Sequence, residues 1–167
     1  MNTFDLKTVV VGPLQTNCYI LTINDKTYII DPGEDAKVID SYLNNKNVVA
    51  ILVTHHHFDH IGALDYFENK YNLKHNNYKD LDFEIIKNPG HSKDSISFYF
   101  KDLNIMFCGD FIFKNSIGRM DLEGGSELEM QESLEMISKY KDNTILYPGH
   151  GPSTILGNEK SHFKYYF

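Results

Sequence analysis

Four histidines and an aspartate crowd into seven positions of the segment THHHFDH, residues 54–60, in a chain of 167 residues with eight histidines in all. Imidazole and carboxylate are ligands for borderline divalent metals such as zinc. The pattern HxHxDH has a spacing that matters. His55 and His57, at i and i+2, can converge on one ion at the end of a strand. Asp59 and His60, carried round the turn that enters a helix, can face a second ion, and a helix N-terminus favours a carboxylate there. His56 points elsewhere if its two neighbours converge, so it is read as a non-ligand. A histidine-rich surface tract would need neither the interposed acid nor the buried strand VVAILVT that leads into it.

Three further segments share this construction, a hydrophobic strand that ends in a turn carrying a ligand. FEIIKNPGH ends at His91, NIMFCGD at Asp110 and TILYPGH at His150. In each, glycine directly precedes the ligand, where the backbone needs a positive φ or a close approach. His75 and His162 lack this setting and read as surface residues. Seven ligands suit two ions: His55, His57 and His91 on one, Asp59, His60 and His150 on the other, with Asp110 between them. A water bridging two divalent ions is strongly acidified and supplies hydroxide near neutral pH. One ion can polarise a carbonyl while the other stabilises a leaving group, and Asp59 helps orient the hydroxide as well as ligating. That chemistry is hydrolysis.

The elements that must position these residues are legible in outline. FDLKTVVV, NCYILTI and TYIID read as strands, bounded by GPLQ, NDK and PGED. DAKVIDSYLNN has apolar residues at 36, 39 and 43, a helical spacing, and VVAILVT is apolar on both faces, as in a strand inside a sheet. IGALDYFENKY places Ile61, Leu64, Phe67 and Tyr71 on one side of a helix. FEIIK, SISFYF and NIMFCGD are strands again, and a long loop, FIFKNSIGRMDLEGG, leads to a helix opening with Ser126 and Glu129 in capping-box spacing. Met130, Leu134 and Ile137 form that helix's apolar face, and NTILY is a last strand. With no repeat, low-complexity linker or composition break, the expectation is one mixed α and β domain over residues 1–167.

Composition narrows the functions. A formal net charge of −7 opposes a nucleic-acid partner held by phosphate contacts. No apolar run reaches the length of a membrane span, and MNTFDLKTVV lacks a signal pattern, so the expectation is a cytoplasmic protein with no membrane partner. Cys18 and Cys108 read as buried free thiols. Arg119 is the chain's one arginine.

THHHFDH, PGHS, FCGD and PGHG, in that order, together with VGPLQTNCYIL and YIIDPG, resemble the metallo-β-lactamase superfamily. GDFIFKNSIGRMDLEGGS and PGHGPSTILGNEK narrow the resemblance to its glyoxalase II-like branch, the hydroxyacylglutathione hydrolases and their short relatives. The resemblance implies an α/β (α+β) fold, a four-layer αββα sandwich, with a metal site at one edge of the sheets. It implies His55, His57 and His91 for a first metal, Asp59, His60 and His150 for a second, and Asp110 as the bridging ligand. The metals implied are two divalent ions, zinc first, with iron or manganese as alternatives. With SHFKYYF closing the sequence, the expectation is a short form lacking the C-terminal helical domain that helps bind glutathione in that branch, and the segment between His60 and His91 is shorter than in most members of the resembled family. The GRMDLEGG loop carries Arg119 where those hydrolases have a lysine-containing loop facing glutathione, so Arg119 is either a substrate contact or a clamp on its own loop.

The leading expectation is a hydrolase of a small thioester or related ester, a small-molecule substrate, with Asp59 as the catalytic residue. Lactone or β-lactam hydrolysis could use the same metals. A mononuclear iron persulfide dioxygenase would use only His55, His91 and Asp110. A metal-stabilised binding module is the non-enzymatic alternative, and it needs four ligands rather than seven. Whether the protein is a monomer or a homodimer stays open.

Overall fold

The computed structural model describes residues 3–167. The chain divides between Leu81 and Asp82 into two compact units, each described by itself.

The first unit is a four-stranded sheet in the order β1-β2-β3-β4, formed by β1 (Phe4–Val11), β2 (Thr16–Ile23), β3 (Lys26–Ile30) and β4 (Val48–Leu52). The first three strands run antiparallel through tight turns, whereas β3 and β4 are parallel and are joined through α1 (Ala36–Asp40). α2 (Phe58–Ile61) and α3 (Leu64–Tyr71) follow β4. One face of the sheet, with Val9, Val11, Cys18, Ile20, Ile29 and Ile51, is covered by Ile39, Leu43, Leu64 and Phe67. These covering residues carry the helical spacing read from the sequence.

Two helices differ from expectation. The helix expected over residues 35–45 is regular only over Ala36–Asp40. Beyond it the backbone tightens into i→i−3 bonds, from Tyr42 to Ile39 and Leu43 to Asp40, which still bring Leu43 into the core. The helix expected from Ile61 to Tyr71 is broken, because the Ala63 amide donates to the Pro32 carbonyl at 2.9 Å instead of continuing the ladder. The backbones meet closely there. A Cβ on Gly62 would lie 2.2 Å from the Gly33 carbonyl oxygen, and one on Gly33 would lie 2.0 Å from that of Asp59. Glycine at both positions is a steric requirement.

The second unit is a five-stranded sheet in the order β11-β10-β7-β6-β5, with a two-stranded ribbon at its side. In chain order it holds β5 (Glu84–Lys87), β6 (Ile96–Phe100), β7 (Ile105–Gly109), the ribbon strands β8 (Ile112–Phe113) and β9 (Ser116–Ile117), α4 (Glu127–Ile137), β10 (Ile145–Pro148), β11 (Thr154–Ile155) and α5 (Leu156–Lys160). β5, β7 and β10 run in one direction, since β6 is antiparallel to both its neighbours and β10 is parallel to β7. Met130, Leu134 and Ile137 of α4 are buried with Ile86, Met106, Cys108 and Leu146, as their spacing predicts. The ribbon lies inside the segment read as one long loop; its two-residue strands are too short to give a periodic signal.

Ser126 accepts a hydrogen bond from the Glu129 amide at 3.2 Å, one half of the expected capping box. The other half differs: the Ser126 amide donates to the Gly90 carbonyl at 2.8 Å, so the helix start is tied to the turn preceding His91. Both cysteines are buried free thiols, and burial, helped by the Asp31 carboxylate, pushes the Cys18 thiol well above its ordinary range. No helix among the described residues is long and apolar enough to cross a membrane.

Phe67 is fully buried in the first core. Phe67→Ala should cost about 3–5 kcal/mol of stability through lost transfer energy and the cavity left behind, read as a lowered urea midpoint. A loss below about 1 kcal/mol would mean that α3 is not anchored through this ring.

Candidate metal centre

In the first unit, the parallel pairing of β3 with β4 puts their C-terminal ends side by side. Asp31 ends one and Thr54 and His55 follow the other. The Asp31 carboxylate accepts from the Thr54 amide at 2.8 Å, from the Thr54 hydroxyl at 2.7 Å and from His60 Nδ1 at 3.0 Å. Asp31, Thr54, His55 and His60 are all buried.

This network sets histidine tautomers. The one hydroxyl proton of Thr54 goes to Asp31, so His55 Nδ1, 3.1 Å from the same oxygen, must donate. His60 Nδ1 donates to a carboxylate and is protonated as well. Both rings therefore carry their lone pair on Nε2, the nitrogen a metal requires. His60 Nε2 lies 3.4 Å from Asp59 Oδ2, which also accepts from the Thr16 hydroxyl at 2.9 Å. The ligand nitrogens of His55 and His57 are within 4.8 Å of each other.

The second unit repeats the logic. The shared direction of β5, β7 and β10 brings His91, Asp110 and His150 to one sheet edge. The Gly149 amide donates to the Gly109 carbonyl at 2.8 Å, joining the two turns that carry Asp110 and His150. His91 Nδ1 donates to the Arg119 carbonyl at 2.8 Å, and its Nε2 faces Asp110 Oδ2 at 3.5 Å. His150 Nε2 faces the same oxygen at 3.4 Å. Of the glycines preceding these ligands, Gly90 and Gly109 have positive φ, 147° and 56°, as expected. Gly149 does not. In that turn the left-handed residue is Gly151, just after His150 (φ 77°).

The donor set fits divalent metal ions. Imidazole nitrogen and carboxylate oxygen are borderline-to-hard ligands. Two atoms bound to one tetrahedral ion at about 2.0–2.1 Å are separated by about 3.4 Å. The three nitrogen–oxygen separations of 3.4, 3.5 and 3.4 Å match that edge and exceed the usual hydrogen-bond range of about 2.7–3.2 Å.

Three other residues stand differently from the ligands. Arg119 sends Nε and a terminal nitrogen to both carboxylate oxygens of Asp121 at 2.7 and 2.8 Å, a fork within its own loop, which holds the Asp121 carboxyl down at about 2. Its contribution to the centre is its backbone carbonyl. His56 is exposed and bonds to His75 rather than joining its neighbours. Asp31 carries no role in the sequence reading, although TYII-Asp is itself a hydrophobic strand ending in an acid, the signal used for the other segments.

Asp31→Ala should weaken metal affinity about 10–100-fold, as loss of an outer-shell partner does, measured by competition with a chromogenic chelator. Arg119→Ala should leave that affinity within about twofold, because the carbonyl survives. The opposite order would show that the guanidinium, and not Asp31, organises the ligands.

Comparison with known proteins agrees with the chemistry. Residues 11–81 and 79–150 match the model of the metallo-beta-lactamase superfamily. The probable metallo-hydrolase YqgX of Bacillus subtilis is 33% identical, over 90% of this chain and 92% of its own. A hydroxyacylglutathione hydrolase of Chromohalobacter salexigens is also 33% identical over 76% of this chain, which spans only 58% of that enzyme's length. Among solved structures, the B3 metallo-β-lactamase BLEG-1 superposes with a TM-score of 0.87 at 30% identity, covering 96% of this chain and 99% of that one. The fold expected from the sequence is thus the fold of this chain, which belongs to the metallo-β-lactamase superfamily, a superfamily of metal-binding hydrolases.

Proposed function

We propose that the protein is a dinuclear metal-dependent hydrolase of a small thioester or related ester. In this reading His55, His57 and His91 hold one divalent ion, Asp59, His60 and His150 hold a second, and Asp110 is shared. The observation that carries it is the position of Asp110 Oδ2, with the Nε2 atoms of His91 and His150 at 3.5 and 3.4 Å. One carboxylate oxygen at ligand-edge distance from two imidazoles suits a ligand common to two ions.

When bound, such ions acidify water and polarise an acyl carbonyl. The chain's own residues supply the rest. Asp59, oriented by the Thr16 hydroxyl, is the carboxylate that holds the attacking water's proton and directs its lone pair to the acyl carbon. Asp31 and the Arg119 carbonyl keep His60 and His91 from turning, so the ligands need little reorganisation before reaction. A thiolate leaves without a strong general acid, since a free thiol has a pKa near about 8.5. The hydroxyacylglutathione hydrolase relatives point to the same class, with zinc the first choice of metal. Buried reduced cysteines suit a cytoplasmic enzyme, and a net charge of −7 suits a small-molecule rather than a nucleic-acid partner.

Elemental analysis of the purified wild type beside His60→Ala tests the reading. About two zinc ions per chain, falling towards about one in the variant, with S-lactoylglutathione hydrolysis lowered at least about 100-fold, is the expected result. A single iron unaffected by His60→Ala, with oxygen consumed in the presence of a persulfide, would overturn it.

A further inference from the structure

The edge of a β-sheet carries a row of backbone donors and acceptors that invites another strand, and proteins usually shorten, charge or cover it. Three of the four edges of the two main sheets are managed in this way. β11 is two residues long, and β5 is four, with Glu84 and Lys87 exposed and Glu84 accepting from the Tyr140 hydroxyl. The outer side of β4 is covered by Asn76. Its amide donates to the Ile51 carbonyl at 2.9 Å, and its side chain bonds the Val53 amide and carbonyl at 2.8 and 3.1 Å. β1 is the exception. It is eight residues long and pairs with β2 alone, and among the described residues no backbone hydrogen bond reaches its outer side. Its two faces differ. Val9 and Val11 belong to the helix-covered core, so Asp5 and Lys7, both exposed, share that face by alternation. The other face carries Phe4, Leu6, Thr8 and Val10, of which Phe4 is 37% and Val10 57% exposed.

We propose that β1 is the interface of a homodimer, in which it pairs antiparallel with β1 of a second copy about a two-fold axis at Leu6. Strand geometry and charge select this register. Only alternate residues of an edge strand point their backbone groups outward, so a symmetric antiparallel pairing joins residues whose numbers have an even sum. Pairing about Asp5 or about Lys7 would set like charges opposite each other, which is unfavourable. Pairing about Thr8 would set Asp5 against Val11 and Lys7 against Val9, with no ion pair gained. Pairing about Leu6 sets Asp5 opposite Lys7 of the second copy, twice by symmetry. It also brings Leu6 against Leu6 and Phe4 against Thr8 on the other face, and it joins the two four-stranded sheets into one. The Lys7 ammonium already stands 4.8 Å from the centre of the Tyr42 ring, so its stem is held on the face where the second copy's Asp5 would arrive. None of these residues belongs to the candidate ligand set, and the proposal does not depend on the hydrolytic reading.

Sedimentation equilibrium of the full chain over a series of concentrations tests the interface, and disulfide trapping tests its register. Wild type should show a monomer–dimer equilibrium. Asp5→Lys, which sets two ammonium groups opposite each other, should weaken it at least about tenfold, and Asp5→Lys combined with Lys7→Asp should restore it. Leu6→Cys should give a linked dimer on mild oxidation, because directly opposed residues of an antiparallel pair have Cα atoms about 4.5–5.5 Å apart, within disulfide reach. Thr8→Cys is the control. Thr8 is more exposed than Leu6 but faces Phe4 in this register, so it should link far more slowly. Both natural cysteines are buried and do not compete. Circular dichroism checks that the variants fold, and the substituted side chains of residues 5 and 7 are exposed. A chain that stays monomeric throughout would overturn the proposal. So would a dimer that Asp5→Lys leaves intact, a charge swap that fails to restore association, or Thr8→Cys linking as fast as Leu6→Cys.

Discussion

A buried carboxylate is costly unless every oxygen is hydrogen-bonded, and the candidate ligands of the first unit are arranged around one. Asp31 satisfies its oxygens with the Thr54 amide, the Thr54 hydroxyl and His60 Nδ1. Those bonds join the end of β3, the end of β4 and the turn through α2. They also decide which nitrogen of His60, and through Thr54 which nitrogen of His55, keeps its lone pair. Asp31 itself has φ 53°, a left-handed conformation that aspartate tolerates better than most residues. The strand thus ends in a turn that delivers Pro32 and Gly33 against the 59–63 backbone.

The second unit reaches the same end with neutral groups. The Arg119 carbonyl fixes His91, the Ser133 hydroxyl donates to the Pro89 carbonyl at 2.6 Å, and the Ser126 amide donates to that of Gly90. α4 therefore both covers the core and holds the turn on which His91 sits. Both units rely on parallel strands with their C-terminal ends at one sheet edge, the place where α/β sheets carry their ligands. A purely antiparallel arrangement would send alternate strand ends to opposite edges and disperse the residues.

Cys18 is an instructive contrast. A thiol could ligate or attack, but this one is buried and kept protonated by burial and by Asp31, and a protonated thiol is a poor nucleophile. The negative charge that orders the histidines also quiets the sulfur.

The sequence by itself determined the candidate donor set. HxHxDH, three strand-ending turns and their residue types single out seven candidate ligands, because a metal site needs particular donor atoms and those cannot be disguised. Strand limits and the apolar faces of α3 and α4 were legible for a similar reason: periodicity follows directly from burial. Tertiary structure decided what depends on contacts between distant positions. The break in the helix at Ala63 comes from the Pro32 carbonyl, 31 residues back in the chain. The hydrogen bonds of Asp31 to Thr54 and His60 come from strand pairing, and that of residue 119 to His91 from a backbone oxygen that any residue would carry. The meeting of His56 with His75 belongs here too, since no local pattern reports the distance between two rings nineteen residues apart.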